Sequence, residues 1–303
     1  MSSVARVVIL VTVLLSAIGS VAFGVVGGTT VAIATAPWTV VVREPEYVGG
    51  PRYVACTGVI IDRLHILTAG HCVVSGKSAR ALAASGFRVE AGVSNFEHPL
   101  ASDHPQFRSV SKVALMPGYI PESQLYYFDM LDASGHDLAV LTLTSPLDLG
   151  GDDARAADLP ISGTPMPAIA TRLVMAGFGA ERSTGYYRNG TLNEVTKAKV
   201  RKSCSTSQVL CMFEPTSTCW GDSGSGVVEP GSHPTVVGIL SEDLDPCRPG
   251  VDYYTALTAP AALRFINTDR GTSQSKSAKI GQIRALLDAA RDAIVQGFSG
   301  TSS

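Results

Sequence analysis

Short runs of β-branched and aliphatic residues, separated by clusters of Gly, Pro and Ser, dominate the first half of the chain. They occur at residues 39–42, 59–61, 66–67 and 138–143. Apolar runs of this length, bounded by turn residues, predict β-strands rather than helices. This part of the chain is therefore expected to be a set of strands joined by turns.

A second group of similar runs follows a loop rich in Gly and Asp at residues 149–158. The second group comprises residues 173–176, 195–200, 227–228 and 236–240. The boundary near 149–165 predicts two similar β halves. Hydrophobic residues make up 45% and charged residues only 17% of the 303 residues, with 30 Gly and 17 Pro, which also favours many short strands and tight turns.

The C-terminal part of the chain has a different pattern. Residues 259–266 predict a helix, residues 267–278 a polar linker, and the apolar positions between 280 and 294 recur at helical spacing, which predicts an amphipathic helix. Packing of this last helix on the protein surface is favoured over a role in binding a partner or a membrane surface, because its polar face carries both acidic and basic residues.

The N-terminal segment from Met1 to Gly24 carries Arg6 as its only charged residue, followed by an apolar stretch and then small residues. This order is typical of a secretory signal peptide, with cleavage after either Gly24 or Ala22. The alternative is an uncleaved membrane anchor, since the uncharged run is long enough to span a bilayer. The small residues favour the signal peptide, and with it a secreted, extracellular protein without stable membrane insertion after cleavage.

Charge and cysteine content narrow the function classes further. With 24 Lys plus Arg against 26 Asp plus Glu, the net charge is −2, and the chain has no basic field for nucleic acid. In an oxidising compartment the even set of cysteines predicts three disulfides, whereas the absence of a C-x-x-C pair argues against structural zinc. The cysteines are Cys56, Cys72, Cys204, Cys211, Cys219 and Cys247.

Three peptides carry the residue types that nucleophilic catalysis needs. Residues 219–226, C-W-G-D-S-G-S-G, place Ser223 among glycines that leave main-chain N–H groups accessible. Residues 67–72, L-T-A-G-H-C, place His71 beside a cysteine that a bridge could fix, and residues 135–141, G-H-D-L-A-V-L, place Asp137 before an apolar run. A serine hydroxyl becomes a useful nucleophile only when a positioned base removes its proton and donors stabilise the oxyanion.

Together these peptides resemble the TAGHC, DIAL and GDSGG boxes of the chymotrypsin/trypsin-like serine peptidases. The order His71, Asp137, Ser223 differs from that of subtilisins and of α/β-hydrolases. The resemblance implies an all-β fold of two packed six-stranded antiparallel β-barrels with a C-terminal helix. It divides the chain into a signal peptide at 1–24, a protease domain at 25–266, and a linker and helical tail at 267–303.

The resemblance also implies roles for individual residues. Ser223 would be the nucleophile, His71 the general base and then acid, and Asp137 the group that fixes the histidine tautomer. The N–H groups of Gly221 and Ser223 would form the oxyanion hole. Ser241 resembles the hydroxyl that supports the triad aspartate and also lies on the strand that lines the substrate cleft.

Two further sets of contacts are implied by the same resemblance. The disulfides would join Cys56 to Cys72, Cys204 to Cys211, and Cys219 to Cys247. Val25 resembles the mature N-terminus of the family, whose α-ammonium would pair with Asp222. No basic residue lies between Arg6 and Val25, so tryptic activation is excluded and removal of the signal peptide after Gly24 is expected to free Val25.

The predicted substrate pocket departs from the family pattern. Ser217, at its floor, implies a preference for apolar or aromatic side chains. The Glu242-Asp243 pair follows Ser241 where the family has Trp-Gly, and Asp243 either attracts a basic substrate residue or narrows the entrance. The opposite wall is expected near Gly250.

No cofactor and no metal are predicted, since Glu90, Asn95 and Glu97 lack the repeat of a calcium loop.

The sequence thus predicts a secreted serine endopeptidase that works through an acyl-enzyme. Its expected partners are protein or peptide substrates and proteinaceous inhibitors, and the chain is expected to be a monomer. The alternative is a catalytically silent or weakly active homologue that uses the same scaffold for binding or adhesion. The intact set of His71, Asp137 and Ser223 favours the enzyme, whereas the acidic replacement at 242–243 keeps the alternative open.

Overall fold

The structure is a computed structural model. It describes residues 25, 27–43, 55–75, 78–121, 135–180, 190–200, 204, 206–213, 216–243, 247–248 and 250–271, with the side chains of 55, 195–200 and 243 excepted. The predicted signal peptide, most of the predicted linker and the predicted tail helix lie outside these residues. Within the described ranges, no helix is long and apolar enough to cross a membrane.

The chain forms mainly short β-strands. In order they are β1 (Thr29–Thr30), β2 (Thr39–Arg43), β3 (Ala55–Ile60), β4 (His65–Thr68), β5 (Arg88–Ala91), β6 (Gln106–Leu115), β7 (Ala139–Leu143), β8 (Arg172–Gly177), β9 (Asn193–Val200), β10 (Val209–Phe213), β11 (Gly226–Glu229), β12 (Thr235–Asp243) and β13 (Val251–Ala256), followed by helix α1 (Pro260–Asp269).

The first half of the domain is a closed antiparallel barrel with the strand order β2-β3-β4-β7-β6-β5. Val40 and Val42 of β2 lie in the core of this barrel, whereas Val41 between them lies in the core of the second half. Successive side chains of a strand point to opposite faces. The three consecutive valines of β2 are all buried because one face of the strand fills its own barrel and the other packs against the second half.

The second half is a sheet with the order β1-β9-β10-β13-β12-β11-β8. β8 pairs with β11 on one side and with β9 on the other. The series of paired strands from β9 through β10, β13, β12, β11 and β8 therefore leads back to β9. The two halves are referred to below as the first and second barrels. The expected all-β fold of two packed barrels with a C-terminal helix is confirmed.

Two of the strands that the sequence patterns did not single out, β6 and β13, have irregular patterns. β6 alternates exposed and partly buried positions, and β13 carries Asp252 among apolar residues. The helix predicted at 259–266 is present as α1, and it continues to Asp269, into the segment predicted as a linker. The end of α1 contacts the first barrel, because Arg270 Nε donates to Asp62 Oδ2 at 2.7 Å and Lys112 pairs with Asp269.

Asp62 organises the turn between β3 and β4. Its Oδ1 accepts hydrogen bonds from the N–H groups of Leu64 and His65 at 2.8 and 2.9 Å, as Asp side chains commonly do in tight turns. Burial raises the pKa of this carboxyl, but the hydrogen bonds from His65 and Leu64 and the charge of Arg270 outweigh it and lower the pKa to about 2.

Candidate active site

His71 and Asp137 lie together because of how β4 and β7 pair. The two strands are antiparallel, with Thr68 opposite Ala139. His71, which follows β4, therefore lies beside Asp137, which stands two residues before β7. His71 begins a short 3₁₀-helix, and its Nδ1 lies 2.7 Å from Asp137 Oδ2, while its main-chain N–H donates to Oδ1 at 2.7 Å. The two contacts fix both the position and the ring orientation of the histidine.

The second barrel completes the environment of Asp137. Ser241 Oγ on β12 donates to Asp137 Oδ2 at 2.7 Å, and Thr255 Oγ1 on β13 donates to the main-chain oxygen of Asp137 at 3.0 Å. The carboxylate side chain is 8% exposed, whereas the side chain of His71 is 36% exposed. Asp137 is thus a buried acceptor of several hydrogen bonds that holds an accessible imidazole.

Ser223 lies on the loop between the 217–220 segment and β11. Its main-chain oxygen accepts a hydrogen bond from Thr57 N–H at 2.9 Å, and Thr57 Oγ1 donates to the oxygen of Gly221 at 2.8 Å. Cys72 Sγ, adjacent to His71 in sequence, lies 3.9 Å from the Ser223 oxygen. These contacts bring the loop of the second barrel onto β3 and onto the segment of His71.

Gly224, next to Ser223, requires the absence of a side chain. Its φ is +83°, and a Cβ atom there would overlap Thr57 O and Thr68 Oγ1. Only glycine adopts this conformation at low cost. Its N–H donates to the oxygen of Leu240 at 2.9 Å, which ties the loop to β12 directly before Ser241.

Asp222 precedes Ser223 and is fully buried. Its Oδ1 accepts from Gly179 N–H at 2.8 Å and its Oδ2 accepts from Cys219 N–H at 2.9 Å. A Cβ atom on Gly179 would overlap this carboxylate. Val25, the predicted partner of Asp222, is also fully buried, and its oxygen accepts from Gly28 N–H at 2.6 Å.

The predicted pocket residues lie in the second barrel. Ser217 is buried and its Oγ donates to the oxygen of Thr218, and Glu242 on β12 is partly exposed. Gly250 begins the chain segment that enters β13. Asp243 ends β12 and pairs in register with Asp252, and its side chain lies outside the described part of the structure.

The six cysteines form three disulfides. They join Cys56 to Cys72, Cys204 to Cys211, and Cys219 to Cys247, which are the pairs that the resemblance implies. The first of these links β3 to the segment of His71, and the last links the 217–220 segment to the loop before β13. His71 also lies close to Cys56 and Cys72, but both sulfur atoms belong to the disulfide.

Glu90, one of the oxygen-bearing side chains considered for calcium, accepts two hydrogen bonds from Arg43 at 2.5 and 3.2 Å. The guanidinium group also lies 4.9 Å from the centre of the Phe96 ring, within the range of a cation–π contact. A side-chain cation therefore already neutralises this carboxylate.

A comparison of the sequence with protein-family models identifies the family. The family model described as Trypsin matches residues 25–263, which includes both barrels and every residue of the site. The chain belongs to the trypsin family. Trypsin-family proteases act on protein substrates, and this membership supports a serine protease hydrolase at the level of the family.

Individual relatives of this trypsin-family chain are distant. Kallikrein 1-related peptidase b16 of Mus musculus is 29% identical over 252 residues, which cover 77% of this chain and 85% of the relative. A trypsin of Phaedon cochleariae is 28% identical over 220 residues, covering 67% of this chain and 75% of the relative.

Solved structures with the same fold include proteins of different activity. Human heparin binding protein matches with a TM-score of 0.61 at 23% identity, covering 79% of this chain and 93% of the other. An inactivated protease paralogue of the scabies mite, S-D1, matches with a TM-score of 0.64 at 20% identity, covering 81% of this chain and 97% of the other. At these identities the matches establish the trypsin-family fold alone.

Sequence reasoning missed several residues that build the trypsin-family site here. Thr57 and Thr255 are hydroxyls inside apolar strands, and each donates to a main-chain oxygen of a site residue. Asp252 and Thr218 are buried side by side next to Ser217. A buried polar residue needs a hydrogen-bond partner, so a polar residue within a predicted strand is the signal that could have identified them.

Proposed function

We propose that this chain is a secreted serine endopeptidase that hydrolyses peptide bonds through an acyl-enzyme on Ser223, with His71 and Asp137 completing the triad. The observation that supports this most is the set of hydrogen bonds at Asp137. Both carboxylate oxygens accept from His71, and Ser241 adds a donor from the other barrel. Such an arrangement fixes one tautomer of the imidazole, with the proton on Nδ1 and Nε2 left as the base.

In the proposed reaction, Ser223 Oγ attacks the carbonyl carbon of the scissile peptide bond while His71 Nε2 takes the hydroxyl proton. The tetrahedral intermediate collapses with cleavage of the C–N bond, and His71 gives the proton to the leaving amine. A water molecule then attacks the acyl ester, again with His71 as base, and its proton returns to Ser223. Asp137 stays ionised throughout and stabilises the imidazolium that forms in each step.

The N–H groups of Gly221 and Ser223 are proposed to receive the oxyanion. Support comes from the peptide groups that carry these N–H groups, because the oxygen of Trp220 accepts from Ala180 N–H at 2.9 Å and the oxygen of Asp222 accepts from Ser225 N–H at 2.8 Å. With both oxygens hydrogen-bonded, these two peptide groups have restricted orientations. Preorganised donors of this kind are worth about 3 kcal/mol each in the transition state.

Activation is proposed to depend on Val25. Cleavage after Gly24 would create an α-ammonium group at Val25 that pairs with the buried carboxylate of Asp222. Support comes from the full burial of both residues, since two buried opposite charges offset each other's desolvation when they pair. The three disulfides agree with the proposed export through an oxidising compartment.

A fluorophosphonate probe tests the proposal on the exported full-length chain. The expected result is covalent labelling of Ser223 in the wild type, no labelling of Ser223→Ala, and peptide-bond hydrolysis by the wild type alone. N-terminal sequencing of the same sample checks for a start at Val25. Failure of a correctly processed chain to react would contradict the enzyme and favour the binding homologue.

A further inference from the structure

Ser225 carries a buried hydroxyl that the proposed triad chemistry does not use. The residue is fully buried, and among the described residues its Oγ has no hydrogen-bond partner. Its main chain is bonded on both sides, because its N–H donates to the oxygen of Asp222 and its own oxygen accepts from Leu240 N–H, each at 2.8 Å. A buried hydroxyl without a partner costs free energy, and the GDSGG box that this peptide resembles ends in glycine here. The hydroxyl therefore calls for a partner that forms in another state of the chain.

The hydroxyl lies beside the carboxylate of Asp222. A Cβ atom on Gly177 would stand 2.6 Å from Ser225 Oγ and 2.3 Å from Asp222 Oδ1, so the two oxygens lie side by side over the main chain at the end of β8. The carboxylate accepts from the N–H groups of Gly179 and Cys219, which are neutral donors. A cationic group with several N–H donors could bind this carboxylate and the hydroxyl together.

Val25 has a backbone conformation that is strained as long as residue 24 remains attached. Its φ is +41°, which is rare for a β-branched residue. The φ angle is defined by the carbonyl carbon of the preceding residue, so cleavage after Gly24 removes the strained dihedral and leaves a free α-ammonium. Val25 is fully buried in the same core as Phe178, which follows Gly177. An ammonium formed there needs acceptors inside the protein.

The number of N–H groups on an α-ammonium explains why a second acceptor is needed. The group has three N–H donors, as a lysine ammonium does. A buried ion pair is favourable only when further hydrogen bonds satisfy the protons that the opposite charge does not reach. An ion pair of Val25 with Asp222 leaves such protons, and the lone pairs of Ser225 Oγ can accept one of them.

We propose that Ser225 is a positioning residue that receives the α-ammonium of Val25 together with Asp222. The inference rests on the proposed activation of the protease at Val25. Ser225 does not touch the substrate in this role, because it acts through the buried ion pair on the loop that carries Ser223. Its hydroxyl stabilises the charged form of the amine, so the processed chain keeps its active loop to a higher pH.

Other titratable groups near this loop respond in a different pH range. Glu194 on β9 lies opposite Ala176 of β8, and burial raises the pKa of its carboxyl. His71 and Asp137 lie on the other side of the Ser223 loop, on the first barrel. Carboxyl and imidazole groups ordinarily lose their proton at lower pH than an α-amine does. A transition on the alkaline side of the pH profile therefore reports on the ammonium.

The test uses the chain exported from the full-length sequence and two variants of it. Ser225→Ala removes the hydroxyl. Thr39→Val on β2 is the matched control, because Thr39 is buried and its Oγ1 also has no hydrogen-bond partner within the described part of the chain, but it belongs to the first barrel. N-terminal sequencing checks that each sample begins at Val25. The reaction of the Val25 amine with acetic anhydride, followed against pH by mass spectrometry, gives the pKa of this amine without any need for activity.

We expect Ser225→Ala to lower the pKa of the Val25 amine by about one pH unit. The alkaline loss of kcat/KM should move to lower pH by the same amount, and Tm should fall. Thr39→Val should change neither the amine nor the pH profile, and its Tm should not fall, since it removes a hydroxyl without a partner.

Three results would overturn the role of Ser225 and can be told apart from a failure of the protease proposal. An unchanged pKa of the Val25 amine in Ser225→Ala contradicts it, as does a Tm that rises in Ser225→Ala as in the control, and both leave the protease proposal intact. A start at a residue other than Val25 contradicts it together with the proposed activation. If a correctly processed chain is not labelled by the fluorophosphonate probe, the protease proposal alone fails, and the titration of the amine still decides the role of Ser225.

Discussion

The first barrel supplies His71 and Asp137 as side chains at the ends of two paired strands, whereas the second barrel supplies Ser223 on a loop that is held through its main chain. Each is fixed by the opposite barrel. Asp137 receives donors from Ser241 and Thr255, and the Ser223 loop receives donors from Thr57. The proposed triad therefore depends on both barrels being docked.

The proposed substrate pocket follows a different rule. Ser217, Asp243 and Gly250 all belong to the second barrel, and the Cys219–Cys247 disulfide closes this region within it. Selection of the substrate is therefore expected to be separable from the proposed catalysis, which draws on residues of both barrels. The predictions below test this difference, beginning with the residue on which the two barrels converge.

Replacing Asp137 by Asn is expected to lower kcat by about 10⁴-fold. Both oxygens of Asp137 accept hydrogen bonds, so an amide of the same shape must turn its NH₂ group towards a donor, and the histidine loses its tautomer. Steady-state kinetics measures the loss of kcat, and thermal unfolding measures the change in stability separately.

The matched control for this variant is Asp103→Asn in the same barrel. Asp103 is buried and also accepts several hydrogen bonds, two of them from Ser94, but it does not contact His71. It is expected to lose stability with little change in kcat. Similar kinetic losses in both variants would show that burial, not contact with His71, explains the first result.

Gly224→Ala is expected to lower the free energy of unfolding by about 2–4 kcal/mol. The new methyl group would overlap the first barrel at Thr57 and Thr68, at a backbone φ of +83°. Gly250→Ala is the control in the pocket region, because a Cβ there meets no atom closer than 3.6 Å. Denaturant unfolding compares them, and equal stabilities would mean that the docking of the loop onto β3 is loose.

The pairing of His71 with Asp137 and the position of Ser223 at the same seam could be anticipated from three peptides, because catalytic groups occupy short motifs with restricted neighbours. The strands β2, β4 and β7 were also evident, since both their faces are apolar. Cores formed between two packed barrels leave this signature in the sequence.

The supporting hydroxyls could not be anticipated in the same way. Thr57 and Thr255 are ordinary strand residues until the barrels dock, and their acceptors lie 164 and 118 residues away in sequence. Asp252 was not anticipated as a partner of Thr218, since the register between β12 and β13 includes a bulge near Leu240. Such contacts depend on long-range pairing, which a single sequence does not encode locally.

Ser241→Ala is expected to lower kcat about tenfold, because a hydrogen bond to a charged acceptor typically contributes about 1.5 kcal/mol or more. Thr255→Val provides the comparison, since Thr255 donates to the neutral main-chain oxygen of the same aspartate. It is expected to lower stability by about 1 kcal/mol and kcat by less than Ser241→Ala does. Kinetics and unfolding of both variants decide, and the reverse ranking would contradict a role of Ser241 through the carboxylate.

The smallest expected effect concerns the contact between α1 and the first barrel. The pKa of Asp62 is lowered to about 2 in the folded protein from an ordinary value of 3.8. The ionised carboxylate therefore stabilises the fold fully at pH values above 3.8, and this contribution is lost as the pH falls towards 2. Because the side chain is partly exposed, we expect Asp62→Asn to cost less than about 1 kcal/mol at neutral pH. The difference in Tm from the wild type should shrink as the pH falls from about 5 to about 2. Asp152→Asn, in the exposed pair with Arg155, should shift Tm little at any pH; a constant difference for Asp62→Asn would mean that its charge is not what joins Arg270 and α1 to the first barrel.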